Sequence, residues 1–113
     1  MDGTDWKSLI ETRIAELRKA SDASREDRVP VELDQTRQGR LSRMDAMQGQ
    51  AMAQASEARR SRQIVRLRGA LSRLEQGMFG TCLECDEPIA AARLHADPAA
   101  ELCIECADAK ESG

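Results

Sequence analysis

Four cysteines constrain this chain more than any other feature. Cys82 and Cys85 form one C-x2-C pair and Cys103 and Cys106 a second, giving C-x2-C-x17-C-x2-C. Each pair presents two thiolates from one tight turn, and four such ligands suit the tetrahedral preference of Zn²⁺. A lone C-x-x-C can also be a redox pair, but two pairs at this separation favour metal. Four protein ligands close the coordination sphere and leave no position for a reactive water, so the expected role is one structural Zn²⁺ and not metal catalysis. His95 lies between the pairs and could replace a cysteine; with four thiols present, it reads as a surface or supporting residue. Gly77, Phe79 and Gly80 suit a tight entry to the first pair. Phe79 is the aromatic available to cover the metal's apolar side.

The rest of the composition narrows the function. The chain has 113 residues, 33% charged and 2% aromatic, with one Trp, one Phe and no Tyr. That leaves little bulk for a large globular core. There is no apolar run of membrane-spanning length, and no basic start followed by an apolar stretch and a cleavage site. A cytoplasmic location is expected, where cysteines hold metal more often than disulfides. With one His, no Walker A pattern, no nucleophile elbow and no GxGxxG, the chain is not expected to be an enzyme.

Hydrophobic periodicity gives a mainly α fold: a helical hairpin, in which a short N-terminal helix meets one long helix, followed by a small four-cysteine module and a short closing helix. Residues 1–76 form the helical region and 77–113 the zinc module. Trp6, Leu9, Ile10, Ile14 and Leu17 share one arc, predicting a helix over 6–20 capped by Thr4 or Asp5. Residues 21–33, polar and ending near Pro30, read as a linker. From 34 to 76 no Pro intervenes and Ala, Met, Arg, Gln and Leu dominate, predicting a long helix stopped at Gly77, with Gly49 a place for a kink. Its apolar face changes sides: Leu41, Met44, Met47, Ala51, Ala55 and Ala58 lie on one face, Ile64, Leu67, Leu71 and Leu74 on another. Two packing partners follow, with the Met-rich first half expected to receive the helix over 6–20. Residues 104–111 are expected to form the closing helix.

Charge is segregated. Residues 37–73 hold nine arginines against Asp45 and Glu57, net +7, between a first segment of net −3 and a last segment, 74–113, of net −7. Arg59, Arg62, Arg66 and Arg73 form a stripe opposite the leucines, a candidate contact for an anionic partner. The competing expectation is neutralisation by the chain's own acidic ends.

The long helix running into GMFGTCLECDEPIAAARLHADPAAELCIECAD resembles the DksA/TraR family of bacterial transcription regulators. Gly77, Phe79, Gly80, Cys82, Cys85, Ile89, Arg93, Leu94, Pro98, Cys103 and Cys106 carry the likeness. It implies a zinc module anchoring a helical hairpin that enters the secondary channel of RNA polymerase, where an acidic tip alters initiation, often with ppGpp. The family's tip string, Asp-x-x-Asp-x-Ala, does not occur here. The local candidates are Asp45, with Ala46 and Arg43. Asp86 stands where Gly commonly follows the second cysteine; Asp tolerates positive φ, so the turn should form. The resemblance implies a polymerase-binding regulator that does not read DNA sequence. Two alternatives stand beside it: a helical adaptor self-associating through its Met- and Ala-rich face, or a non-specific nucleic-acid binder using the arginines from Arg59 to Arg73. The latter predicts affinity falling steeply with salt.

Overall fold

The computed structural model describes residues 3–25 and 40–112. Among the described residues it is mainly helical, with four helices: α1 Trp6–Ala23, α2 Arg40–Glu75, α3 Ala91–Ala96 and α4 Ile104–Ser112. Among the described residues the only β-type pairing is a single bridge between Thr81 and Pro88. No helix among them is long and apolar enough to cross a membrane.

The helix ends follow from local chemistry. Asp5 caps α1, its Oδ1 accepting the Ser8 amide at 3.1 Å, which satisfies a donor with no partner inside the first turn. At the end of α2, Gly77 takes φ +73°. Its amide bonds the Leu74 carbonyl at 3.1 Å, and the Met78 amide bonds Arg73 O at 2.8 Å. That pair of bonds is a Schellman stop, which needs a left-handed residue at the glycine position. The 36 residues of α2 run through Gly49 and Gly69 as one helix, with no break at the place where a kink was allowed. The expected segment 34–39 and most of the linker lie outside the described residues. α1 continues three residues past its expected end.

The chain divides into two compact units: the described residues of Met1–Ile14 with Gln63–Gly113, and those of Ala15–Arg62. In the first unit Trp6, Ile10 and Ile14 of α1 are buried at 4%, 0% and 7% exposure, as are Leu67 and Ala70 of α2 and Phe79, Ile89 and Leu94 beyond it. The spacing 6, 10, 14 is one helix face, and it is buried as an apolar stripe. In the second unit Arg60 gathers polar partners: its Nη2 donates to Ser24 Oγ at 2.7 Å and to Glu57 Oε2 at 3.1 Å, and its Nε to Ser21 Oγ at 3.2 Å. These bonds hold Ser21 and Ser24, residues assigned to the linker by their polarity, and account for the longer α1.

One expectation is overturned. The apolar face of α1 is buried in the unit holding Leu67 and the cysteine module, not against the Met-rich half of α2. Met44, Met47 and Met52 are 55%, 53% and 72% exposed. The reason is bulk: Trp6, Ile10 and Ile14 lie in the first half of α1, and the large aliphatic side chains of α2 lie in its second half.

Candidate metal centre

The first cysteine pair sits in a tight knuckle. Gly80 at φ +83° turns the chain in, and the Ile89 amide returns to Gly80 O at 2.7 Å. The Cys82 amide donates to Glu87 O at 2.8 Å and the Asp86 amide to Cys82 O at 3.0 Å. This closure requires a left-handed residue after Cys85, and Asp86 supplies it at φ 61°, the one non-glycine residue with positive φ among those described. Asp is among the residues that tolerate this conformation best. The second pair spans a helix start, with Cys103 just before α4 and Cys106 in its first turn; the Ala107 amide bonds Cys103 O at 2.9 Å. The Leu83 amide donates to Glu101 O at 2.9 Å, tying the first knuckle to the strand of chain entering the second.

All four Sγ atoms lie within 4.8 Å of one another, and Cys85 Sγ is 3.8 Å from Cys103 Sγ. A tetrahedron with Zn–S bonds of about 2.3 Å has sulfur–sulfur edges of about 3.8 Å. The donor set therefore fits one structural Zn²⁺, held by Cys82, Cys85, Cys103 and Cys106. Cys82 is fully buried, Cys85 exposed and the others intermediate. Burial pushes the Cys82 thiol up, but hydrogen bonds from the Cys103, Cys85 and Glu84 backbones outweigh it and bring the pKa to about 6. The Glu87 backbone lowers Cys85, yet the thiolate of Cys82 and burial leave it raised. Cys106 is raised further, chiefly by its neighbours Cys103 and Cys82. Without metal, one thiolate suppresses the next; a divalent cation removes that repulsion and ionises all four.

His95 is not among the clustered donors. Its ring lies against Trp6 at 4.6 Å between centroids, its Nε2 is 3.4 Å from Thr4 Oγ1, and its carbonyl accepts Arg13 Nη2 at 3.2 Å. Phe79 is buried, and its ring contact is with Trp6 at 5.2 Å. Trp6 thus contacts two rings supplied by the cysteine module. Sequence spacing carried no sign of these contacts, because the partners lie more than 70 residues away along the chain.

The arginine stripe separates into two kinds. Arg66 Nη2 pairs with Asp97 Oδ2 at 3.2 Å, and Arg73 Nη1 with Glu101 Oε1 at 3.7 Å. The Arg73 side chain is only 14% exposed. These two are paired with carboxylates of the chain's own acidic module, as the competing expectation of internal neutralisation has it. Arg59 and Arg62 stay exposed, Arg59 donating to Ser56 Oγ at 2.9 Å. Asp45 is exposed and Ala46 half-buried near the start of α2; the side chain of Arg43 lies outside the described residues.

Residues 77–112 match the family described as prokaryotic dksA/traR C4-type zinc finger. Among solved structures, transcription factor DksA2 from Pseudomonas aeruginosa shares the fold, with a TM-score of 0.77 and 24% identity over 95% of this chain and 81% of that one. No curated protein matches the chain by sequence. The resemblance read from the residues holds for the zinc finger by family, and the fold is shared over 95% of the chain.

Proposed function

We propose that the protein is a zinc-stabilised, cytoplasmic regulator of bacterial transcription initiation that binds RNA polymerase through its secondary channel. The observation that carries this reading is the combination of a dksA/traR zinc finger at 77–112 with a DksA2-like fold over nearly the whole chain. Fold by itself does not fix function, so the surface chemistry matters. The metal site is closed by four cysteines, which supports a scaffolding role and a non-enzymatic protein. The acidic module consumes Arg66 and Arg73 in internal pairs, which weakens the case for a phosphate-tracking arginine stripe. Without Tyr and with Trp6 and Phe79 both buried, no exposed aromatic offers a stacking platform for single strands. Direct sequence-specific DNA reading is therefore not part of the proposal.

In this reading the N-terminal part of α2 is the working end. Asp45 is its acidic group, flanked in the helix by the exposed Met44 and Met47, with Ala46 next and Arg43 two residues before it in the sequence. Asp45 would act near the polymerase's catalytic magnesium, and ppGpp would strengthen the effect, as the family resemblance implies. The test is transcription in vitro by purified bacterial RNA polymerase at several promoters, with and without ppGpp. Changed transcript yield that is lost in Asp45→Asn supports the proposal. Unchanged yield at all promoters, with zinc and fold intact, refutes it.

A further inference from the structure

The cysteine module carries a second feature that zinc binding and the α1 contacts leave unused. Beside the metal site is an open hollow of about 400 Å³, lined by Cys85, Pro88, Ile104, Glu87, Glu105 and Arg93 among others. Ile104, 56% exposed, and Pro88 give that lining its aliphatic part. The rim is acidic. Glu87 and Glu105 have no ion pair among the described residues, whereas Glu84, Asp97 and Glu101 are each paired, with Lys110, Arg66 and Arg73. Four thiolates around one Zn²⁺ add a net charge of about −2 at the Cys85 edge. The one cation in that lining, Arg93, donates its Nε to Leu102 O at 2.9 Å and offsets one of the two carboxylates, so the lining stays net acidic.

The same chain carries the complement of this hollow. Val65 of α2 is 66% exposed, and Arg68, one turn on along the same face, is exposed with no ion pair among the described residues. An aliphatic side chain beside a free guanidinium on a basic helix matches an aliphatic lining beside free carboxylates on an acidic module. Among the described residues the three charged groups, Arg68, Glu87 and Glu105, have no ion pair.

We propose that the hollow receives the Val65–Arg68 face of a second copy of this chain, Val65 seating on Ile104 and Pro88, and Arg68 meeting Glu87 and Glu105. The contact joins two different patches, so it is heterologous: each copy offers one helix face and one hollow. This inference is independent of polymerase binding and uses no residue of the Asp45 region.

Sedimentation equilibrium of the zinc-loaded full chain tests it. At low salt, roughly 50 mM, where charges act over more than 10 Å, the mass should rise with concentration above the monomer's 12.5 kDa. Near 1 M salt it should return to that value. Arg68→Glu and Glu105→Arg should each weaken association about tenfold, and a mixture of the two should restore it by swapping the charges. Because Glu105 lies between two metal ligands, Glu87→Arg serves as a second reversal, with zinc content measured for every variant. A chain that stays monomeric at millimolar concentration and low salt would overturn the proposal. So would association that persists unchanged in both Arg68→Glu and Glu87→Arg. A monomer that nonetheless binds a synthetic peptide of residues 63–73 would overturn self-assembly and assign the hollow to a different basic partner.

Discussion

Removing zinc should release the N-terminal helix as well as unfold the metal module. The large buried side chains of residues 77–112 are Phe79, Ile89, Pro98 and Leu94, with only Cys82, Ala99 and Ala100 besides. A segment this short does not bury enough apolar area to fold without its metal. Trp6 would then lose both ring neighbours, Phe79 at 5.2 Å and His95 at 4.6 Å. Each such contact contributes about 0.5–1.5 kcal/mol beyond area burial, and re-exposing the indole costs about 2–3 kcal/mol more. The Arg13 bond to the His95 carbonyl also goes. Docking of α1 should weaken by about 3–6 kcal/mol, a factor of a hundred or more in its equilibrium. The chain has a single Trp, so its fluorescence reports this event alone. On titrating a chelator, the emission should shift to the red and acrylamide quenching should rise in step with zinc loss, while α2 keeps most of its helical circular dichroism. A Trp6 that stays shielded after stoichiometric zinc loss would refute the coupling, and helical signal collapsing completely would refute the independence of α2.

Other perturbations separate the contributions. Cys82→Ser should abolish stoichiometric zinc and mimic the chelator; unchanged metal content in that variant would mean the ligand set is wrong. Zinc affinity should fall with acid, and more steeply below about pH 6. Above that value binding must displace protons from the raised thiols Cys85 and Cys106, and below it from Cys82 as well, whose metal-free pKa is about 6 against an ordinary 9.0. Competition with a chromophoric chelator between pH 5 and 8 (roughly, the range set by these thiols) reads that slope, and one constant slope throughout would contradict the Cys82 assignment. Gly77→Ala should destabilise by about 1 kcal/mol through backbone strain alone, since φ is +73° and the added Cβ meets nothing within 4 Å. Gly49→Ala, in open space on a helix, should stabilise by about 0.5–1 kcal/mol; thermal melts of both distinguish the two effects by sign. Arg66→Ala should cost less than about 1 kcal/mol, because Arg66 and Asp97 are each nearly half exposed.

What could be read from the sequence was local. The cysteine spacing, the Asp5 cap, the Gly77 stop and the tolerance of Asp86 for positive φ depend on neighbours a few residues away, and each has its expected geometry. Periodicity identified the buried face of α1 but not what covers it. A helical wheel shows which side of α2 is apolar and is silent on which half supplies the bulk, so the Met-rich half was assigned a role that falls to Leu67, Ala70 and the module. The internal pairing of the arginine stripe was hidden for a similar reason. Arg66 and Arg73 share a face with Arg59 and Arg62 on the wheel, but their acidic partners Asp97 and Glu101 arrive from about 30 residues downstream, which helical spacing cannot register. The end of α1 was hidden in the same way, since Ser21 and Ser24 look like linker until Arg60 binds them.

Binding of the zinc-loaded protein to purified bacterial RNA polymerase, measured directly in solution with Asp45→Asn and a variant lacking residues 40–47 alongside, tests the central claim most directly. Micromolar or tighter binding that needs residues 40–47 is the expected result. No binding by a folded chain carrying its full complement of zinc would contradict it, leaving the DksA2-like fold without the polymerase function proposed for it.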